Sequence, residues 1–261
     1  MSSIIAITNQ KGGVGKTTTS AALLSGLHSR GFRVLGIDLD PQGNLGFSMG
    51  MDIENSRTIY DVFKGQASFD EVIFTTEHGD VVPSNILLSS AELEFNRPGR
   101  EFLLKNALSR AESRYDYIII DTPPALNILT VNAYVAANGL IIPMVPEILS
   151  LLGVSQIKET IDTVRHFYNS NLRVLGILLT KFNQRINLAR EVREMAEQIA
   201  SQLDTKVFQT TVRTSVVVAE SPAHGESVLE YAPHSKPASD YLNLLDELLG
   251  QTAPSIERTP V

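Results

Sequence analysis

The residues best suited to chemistry lie in one segment, Lys11-Gly12-Gly13-Val14-Gly15-Lys16-Thr17-Thr18. Its glycines let successive backbone N–H groups converge on phosphate oxygens with no Cβ in the way. The apolar run 4–8 precedes it, and a helical pattern over 17–30 follows. The loop therefore opens a helix, whose positive N-terminal end adds to anion binding. Lys16 can reach the β- and γ-phosphates of a nucleotide, and the Thr17 hydroxyl can ligate Mg²⁺. The pattern G-x-x-x-x-G-K-T would need glycine at position 10, where Gln10 stands, so what remains is G-G-x-G-K-T-T. A glycine-rich turn before an ordinary surface helix would share the glycines, but not a Lys-Thr pair in register between strand and helix.

Two further segments supply carboxylates. Asp38-Leu39-Asp40-Pro41-Gln42-Gly43-Asn44 ends a second apolar run. Alternation puts Asp38 and Asp40 on one side of the extended chain, near the carboxyl ends of strands, where ligands of α/β proteins sit. Asp-Pro and Gln-Gly-Asn are also good turn formers, so one aspartate could merely cap a turn. Asp121 closes the run Ile118-Ile119-Ile120 and precedes Thr122-Pro123-Pro124. A carboxylate ending a buried strand can meet Mg²⁺ directly or through water. That signal is weak alone and gains weight from the phosphate loop in the same chain. Guanine-selective sites use N-K-x-D, whose aspartate accepts from the guanine ring. Here the comparable stretch is Thr180-Lys181-Phe182-Asn183, with no carboxylate fourth. ATP is the expected nucleotide.

These residues need a scaffold that brings strand ends together. Short β-branched runs at 4–8, 34–38, 117–121, 140–145 and 174–180 alternate with amphipathic stretches, with weaker runs at 81–83 and 206–208. Helices are expected over 17–30, 58–64, 101–113, 127–137, 153–168, 188–202 and 236–249. This order predicts an α/β, doubly wound, mainly parallel sheet with helices on both faces, of the P-loop NTPase type. One domain over 1–250 is expected, with 251–261 a flexible tail because two prolines and no periodicity occur there.

Composition narrows the chemistry. The 261 residues include no cysteine, which excludes disulfides, thiolate metal sites and iron–sulfur clusters. The net charge is −7, from 22 basic and 29 acidic residues, so contact with nucleic acid would need a local basic patch. No run approaches the roughly 20 apolar residues of a membrane span. A cytoplasmic location is expected.

Lys11 adds a second lysine at the start of the loop, the mark of deviant-Walker ATPases. With D-P-Q-G-N at 40–44 and D-T-P-P at 121–124, residues 3–249 resemble the ParA/Soj partition ATPases, with MinD and the nitrogenase iron protein as more distant relatives. The resemblance implies a Mg²⁺-dependent ATPase that forms a homodimer on ATP. Lys11 would reach the partner's nucleotide, Lys16 and the backbone of residues 12–18 (Gly12, Gly13, Val14, Gly15, Lys16, Thr17, Thr18) would hold phosphates, and Asp40 would orient the attacking water. Thr17, Asp38 and Asp121 would serve Mg²⁺. Adenine would lie near Asn183 and Arg213.

The resemblance also implies nonspecific binding of double-stranded DNA by the ATP dimer. The candidate patch is Lys181, Arg185, Arg190 and Arg193 against Glu191, with Arg213 nearby; such cations neutralise phosphates and release counterions. Alternatively, Arg190 and Arg193 simply occupy the solvated face of a helix. The expected role is chromosome or plasmid partition at the nucleoid with a ParB-like centromere-binding protein. The alternative is a nucleoid- or membrane-surface ATPase that positions a protein cargo, like MinD or a carboxysome-positioning ATPase. A membrane helix of MinD type is not evident in the proline-bearing tail, and the cysteine-free chain rules out the iron protein's electron transfer.

Overall fold

The structure, a computed structural model, describes residues 2–53, 55–146, 150–182 and 188–252. The strands are β1 Ser3–Ile7, β2 Val34–Asp38, β3 Phe74–Thr76, β4 Gly79–Val82, β5 Tyr117–Asp121, β6 Gly139–Met144, β7 Arg173–Thr180 and β8 Val207–Val212. They form one eight-stranded sheet in the order β3-β4-β2-β5-β1-β6-β7-β8. Every pairing is parallel except the β3–β4 hairpin at one edge. The α-helices are α1 Lys16–Ser29, α2 Asn44–Ser48, α3 Ile59–Lys64, α4 Ala91–Glu94, α5 Leu103–Leu108, α6 Ile128–Ala136, α7 Ser150–Phe167, α8 Leu188–Gln202, α9 Val217–Glu220, α10 Val228–Tyr231 and α11 Lys236–Thr252.

The two faces of the sheet carry separate cores. Ile4, Ala6, Leu35 and Ile37 pack with Ile59, Leu104, Tyr134, Ile161 and Ile199, drawn from α3, α5, α6, α7 and α8. Ile5, Ile7, Ile119 and Ile141 pack with Leu24, Leu27, Leu45, Leu244 and Leu248, drawn from α1, α2 and α11. A strand buried on both faces needs apolar residues at successive positions, which is why the central runs show no polar alternation. The doubly wound, mainly parallel architecture is thus the one its sequence pattern predicts.

Register sets up the site. Ile7 of β1 and Asp38 of β2 both lie beside Asp121 of β5. Three adjacent strands therefore end level, and the loops that follow them emerge at one place.

The structure departs from the expected elements at several points, α7 among them, which starts at Ser150 and not at 153. The helix expected over 101–113 is divided into a 3₁₀ turn at Arg100–Phe102, α5, and a second 3₁₀ turn at Glu112–Arg114. Asn132 of α6 causes the first break: its Oδ1 accepts from the Leu104 N–H at 3.0 Å and its Nδ2 donates to the Arg100 carbonyl at 2.8 Å. Burial of Ala111 and Tyr115 then turns the chain into β5. At the far end, α11 runs to Thr252, beyond the expected limit of 249, and 253–261 lie outside the described residues. The edge element expected at 206–208 is a six-residue strand, β8, whose Phe208 is buried under α11.

Candidate nucleotide site

The loop between β1 and α1 is shaped by two left-handed glycines, Gly13 at φ 72° and Gly15 at φ 89°. Only glycine takes that region without steric cost. A Cβ at Gly12 or Gly13 would meet no heavy atom within 4 Å, so the loop is open on that side. Helix α1 starts at Lys16 with Gly15 as its N-cap; no side chain caps it and its first turn holds no acidic residue. Its first N–H groups are therefore available to an anion.

Beside the loop is a cavity of about 450 Å³, bordered by residues 12–18, Asp40, Gln42, Lys181 and residues 212–215. That volume suits a small-molecule ligand. Lys16 is buried, and its Nζ donates to the Lys11 carbonyl at 3.1 Å. Burial holds its pKa below the usual lysine value, while the charges of Asp121 and Asp40 act in the opposite sense. An incoming polyphosphate would supply more of the negative charge that a buried ammonium needs.

Beneath the loop, Asp121 is fully buried. Its Oδ2 accepts from Thr17 Oγ1 at 2.7 Å and its Oδ1 from Ser20 Oγ at 2.9 Å. Asp38, also fully buried, accepts from the Asp40 and Leu45 amides, each at 2.9 Å. The second of these bonds holds the start of α2, a helix that sequence periodicity does not reveal. Asp40 accepts from the Gln42 amide at 3.1 Å and lines the cavity.

Electrostatics tie these groups together. Desolvation, followed by the charge of Asp121, raises Asp38 well above the usual carboxylate range. Desolvation pushes Asp121 up to about 6, with the Thr17 and Ser20 hydrogen bonds acting against it. Asp40 is raised too, chiefly by burial. Two buried carboxylates side by side, with a threonine hydroxyl on one of them, form a site short of positive charge. Among the described residues, no group of three or more His, Cys, Asp or Glu side chains could hold a metal by itself. The donor set thus suits a hard divalent ion that shares its ligands with phosphate and water, as Mg²⁺ does.

The structure brings together Lys16, Thr17, Asp38, Asp40 and Asp121 with the loop backbone. Lys11 is half-buried at the loop entrance, where its amide donates to Asn9 Oδ1 at 3.0 Å. Arg213 borders the cavity, but its guanidinium is held on Asp240 by two bonds of 2.7 Å. Lys181 is exposed at φ 51° and also borders the cavity. Arg193 lies on α8 beside the buried stripe Val192, Ala196 and Ile199, 3.5 Å from the Gln209 carbonyl. Arg190 belongs to α8, whereas Asn183 and Arg185 lie outside the described residues.

Sequence reasoning missed Ser20 and Tyr241. Ser20 sits one helical turn past Lys16, so the i, i+4 spacing pointed to it. Tyr241, 222 positions from Thr19, places its hydroxyl 3.4 Å from Thr19 Oγ1, a contact with no local signal.

Comparison with known proteins agrees with this geometry. A family model described as an AAA domain matches residues 2–174. The chain is 40% identical to the sporulation initiation inhibitor protein Soj of Bacillus subtilis, over 95% of this chain and 98% of Soj. It is also 40% identical to the chromosome partitioning protein ParA of Myxococcus xanthus, over 99% and 92% of the two chains. A crystal structure described as cobyrinic acid a,c-diamide synthase from Mycobacterium smegmatis with bound ADP and magnesium superposes with a TM-score of 0.83. It is 34% identical, with 95% and 94% of the two chains covered. The loop, the two carboxylate-bearing strand ends and the near-complete span of these matches make the chain a member of the Soj/ParA family of P-loop proteins, within the ParA/MinD superfamily.

Proposed function

We propose that this protein is a Mg²⁺-dependent ATPase that dimerises on ATP, holds nonspecific double-stranded DNA in that state, and drives partition of a chromosome or plasmid with a ParB-like partner. The observation that carries this reading is the convergence of Lys16, Thr17, Asp38, Asp40 and Asp121 at three level strand ends beside one cavity. The 40% identity to Soj and ParA supports the partition role.

Each residue has a task in that reaction. The loop amides and the N-terminal end of α1 bind the phosphates, and Lys16 places an ammonium against them. Thr17, Asp121 and Asp38 would hold Mg²⁺, which neutralises developing charge on the phosphates when bound. Asp40, fixed at the cavity wall by the Gln42 amide, orients water toward the γ-phosphorus. Its raised pKa makes it a better proton acceptor than an ordinary aspartate. Lys11 contributes charge to the partner subunit's nucleotide. Lys181, Arg185, Arg190 and Arg193 would contact DNA phosphates, and dimerisation doubles that patch.

Arg213 fits the adenine end of the cavity better than the DNA surface, because Asp240 offsets its charge. Asn183 completes the proposed base contacts. Protein located at the nucleoid follows from this DNA affinity.

The test is retention of purified protein on nonspecific double-stranded DNA with ATP, ADP or no nucleotide at physiological salt. Retention with ATP alone is the expected result. Hydrolysis without retention in any state would move the reading to an ATPase that positions its cargo on a membrane or protein scaffold. Turnover that requires a second small substrate would favour a synthetase on the same fold.

A further inference from the structure

Both carbonyls that flank the Gly15 N–H and the Lys16 N–H are tied back into the protein. The Gly15 carbonyl accepts from the Thr19 amide at 2.9 Å and from Thr19 Oγ1 at 2.7 Å, the ordinary start of a helix. The Val14 carbonyl is held differently. It accepts from Oγ1 of Thr180 at 2.7 Å, a residue 166 positions away at the carboxyl end of β7. Thr180 is 2% exposed, and its Cγ2 lies 3.8 Å from where a Cβ on Gly15 would stand. The hydroxyl thus reaches the loop from below, while the methyl packs under its left-handed glycine.

None of the described peptide bonds is cis. In a trans peptide the N–H points opposite to the C=O. Anchoring the Val14 carbonyl on Thr180 therefore turns the Gly15 N–H to the opposite side of the loop. With Gly13 and Gly15 both in the left-handed region, that peptide has more than one accessible orientation unless something fixes it. Nothing in the spacing of the phosphate-loop motif itself supplies such an anchor.

We propose that Thr180 is a positioning residue for nucleotide binding: its hydroxyl sets the Val14–Gly15 peptide so that the Gly15 N–H is presented to a phosphate oxygen. This rests on the reading of the cavity as the ATP site. Preorganisation of one donor strengthens binding by removing the cost of orienting it after the ligand arrives. Thr180 also pairs with Val212 of β8, so the anchor stands on a strand fixed by the sheet and not on a mobile loop.

The test compares Thr180→Val, which keeps the shape and removes the hydroxyl, with Thr180→Ser, which keeps the hydroxyl and removes the methyl. The dissociation constant of a fluorescent ATP analogue is measured with Mg²⁺ on the full chain, alongside thermal unfolding without nucleotide. Thr180→Val is expected to weaken binding about five- to tenfold, the range set by one lost hydrogen bond. Thr180→Ser should stay within about twofold of the parent. A hydroxyl that only stabilises the fold would lower the unfolding temperature of Thr180→Val and leave its dissociation constant unchanged, and that result overturns the proposal. So does weakening confined to Thr180→Ser, which would assign the effect to the methyl, or equal weakening in both variants, which would assign it to disturbed packing under the loop. A parent that binds no ATP would overturn the nucleotide reading itself, and the positioning role with it.

Discussion

Asp121→Asn should make the nucleotide-free protein more stable while removing its response to Mg²⁺ and ATP. The carboxyl of Asp121 is fully buried, and its pKa rises from 3.8 to about 6 in the folded chain, chiefly through desolvation. A folded pKa above the unfolded one means that the folded chain binds the proton more tightly. The penalty is absent below about pH 4, grows as pH rises toward 6, and is fully present above that. Two units correspond to about 3 kcal/mol at neutral pH. Asparagine keeps one acceptor oxygen for the Thr17 and Ser20 hydroxyls, so roughly 1 kcal/mol of hydrogen bonding is lost. The net gain is about 1–2 kcal/mol, or about 3–6 °C in unfolding temperature for a chain of this size. Relief of the repulsion on Asp38 acts in the same direction. The assay is thermal unfolding by circular dichroism between about pH 4 and 8, with and without Mg²⁺ and ATP. The advantage of the variant should vanish toward pH 4, and ligand should raise the unfolding temperature of the parent alone. A variant less stable than the parent at neutral pH, or a gain that does not change with pH, would refute the desolvation argument.

Asp40→Ala should retain ATP binding within a few fold and lose hydrolysis, which a stopped-assay phosphate measurement beside a nucleotide titration checks; normal turnover would remove Asp40 from the role of orienting water. Lys11→Ala should leave ATP binding to the monomer nearly intact and abolish the ATP-induced dimer on size-exclusion chromatography. Gly225→Ala should destabilise the protein by about 2–4 kcal/mol in urea unfolding, because two penalties combine there. Gly225 sits at φ 68°, and an added Cβ would stand 2.7 Å from the Gly50 Cα.

Much of the site was legible because phosphate chemistry demands particular residues at fixed spacing. Gly13, Gly15, Lys16 and Thr17 are local in sequence, and Asp38 and Asp121 each end an apolar run that must be a buried strand. Level strand ends follow once such strands pair in parallel. The rest depends on contacts with no local trace. Thr180 meets Val14 only because β7 and the loop after β1 end close together. Helix α2 begins where Asp38 captures the Leu45 amide, and periodicity over five residues cannot announce it. The break in the 101–113 helix is likewise imposed from outside, by Asn132. Arg213 is placed by sequence near both the adenine and the DNA-contacting patch, yet Asp240, 27 positions on, decides where its charge goes.

The level ends of β1, β2 and β5 have a bearing on how the molecule opens. A ligand that touches residues from all three strands binds only while those strands stay zipped together. It therefore opposes every opening that separates them, by about 2.7 kcal/mol at one hundred times its dissociation constant. The β3–β4 hairpin lies outside that triplet, at the sheet edge. Its fluctuations need not disturb the ligand and receive no such protection. Amide hydrogen exchange should then divide the sheet in two on nucleotide addition: slowed exchange through Ile4–Ile7, Leu35–Asp38 and Ile118–Asp121, with little change at residues 74–82. Nucleotide would act as a staple across the middle of the sheet, leaving the β3–β4 edge as loose as before.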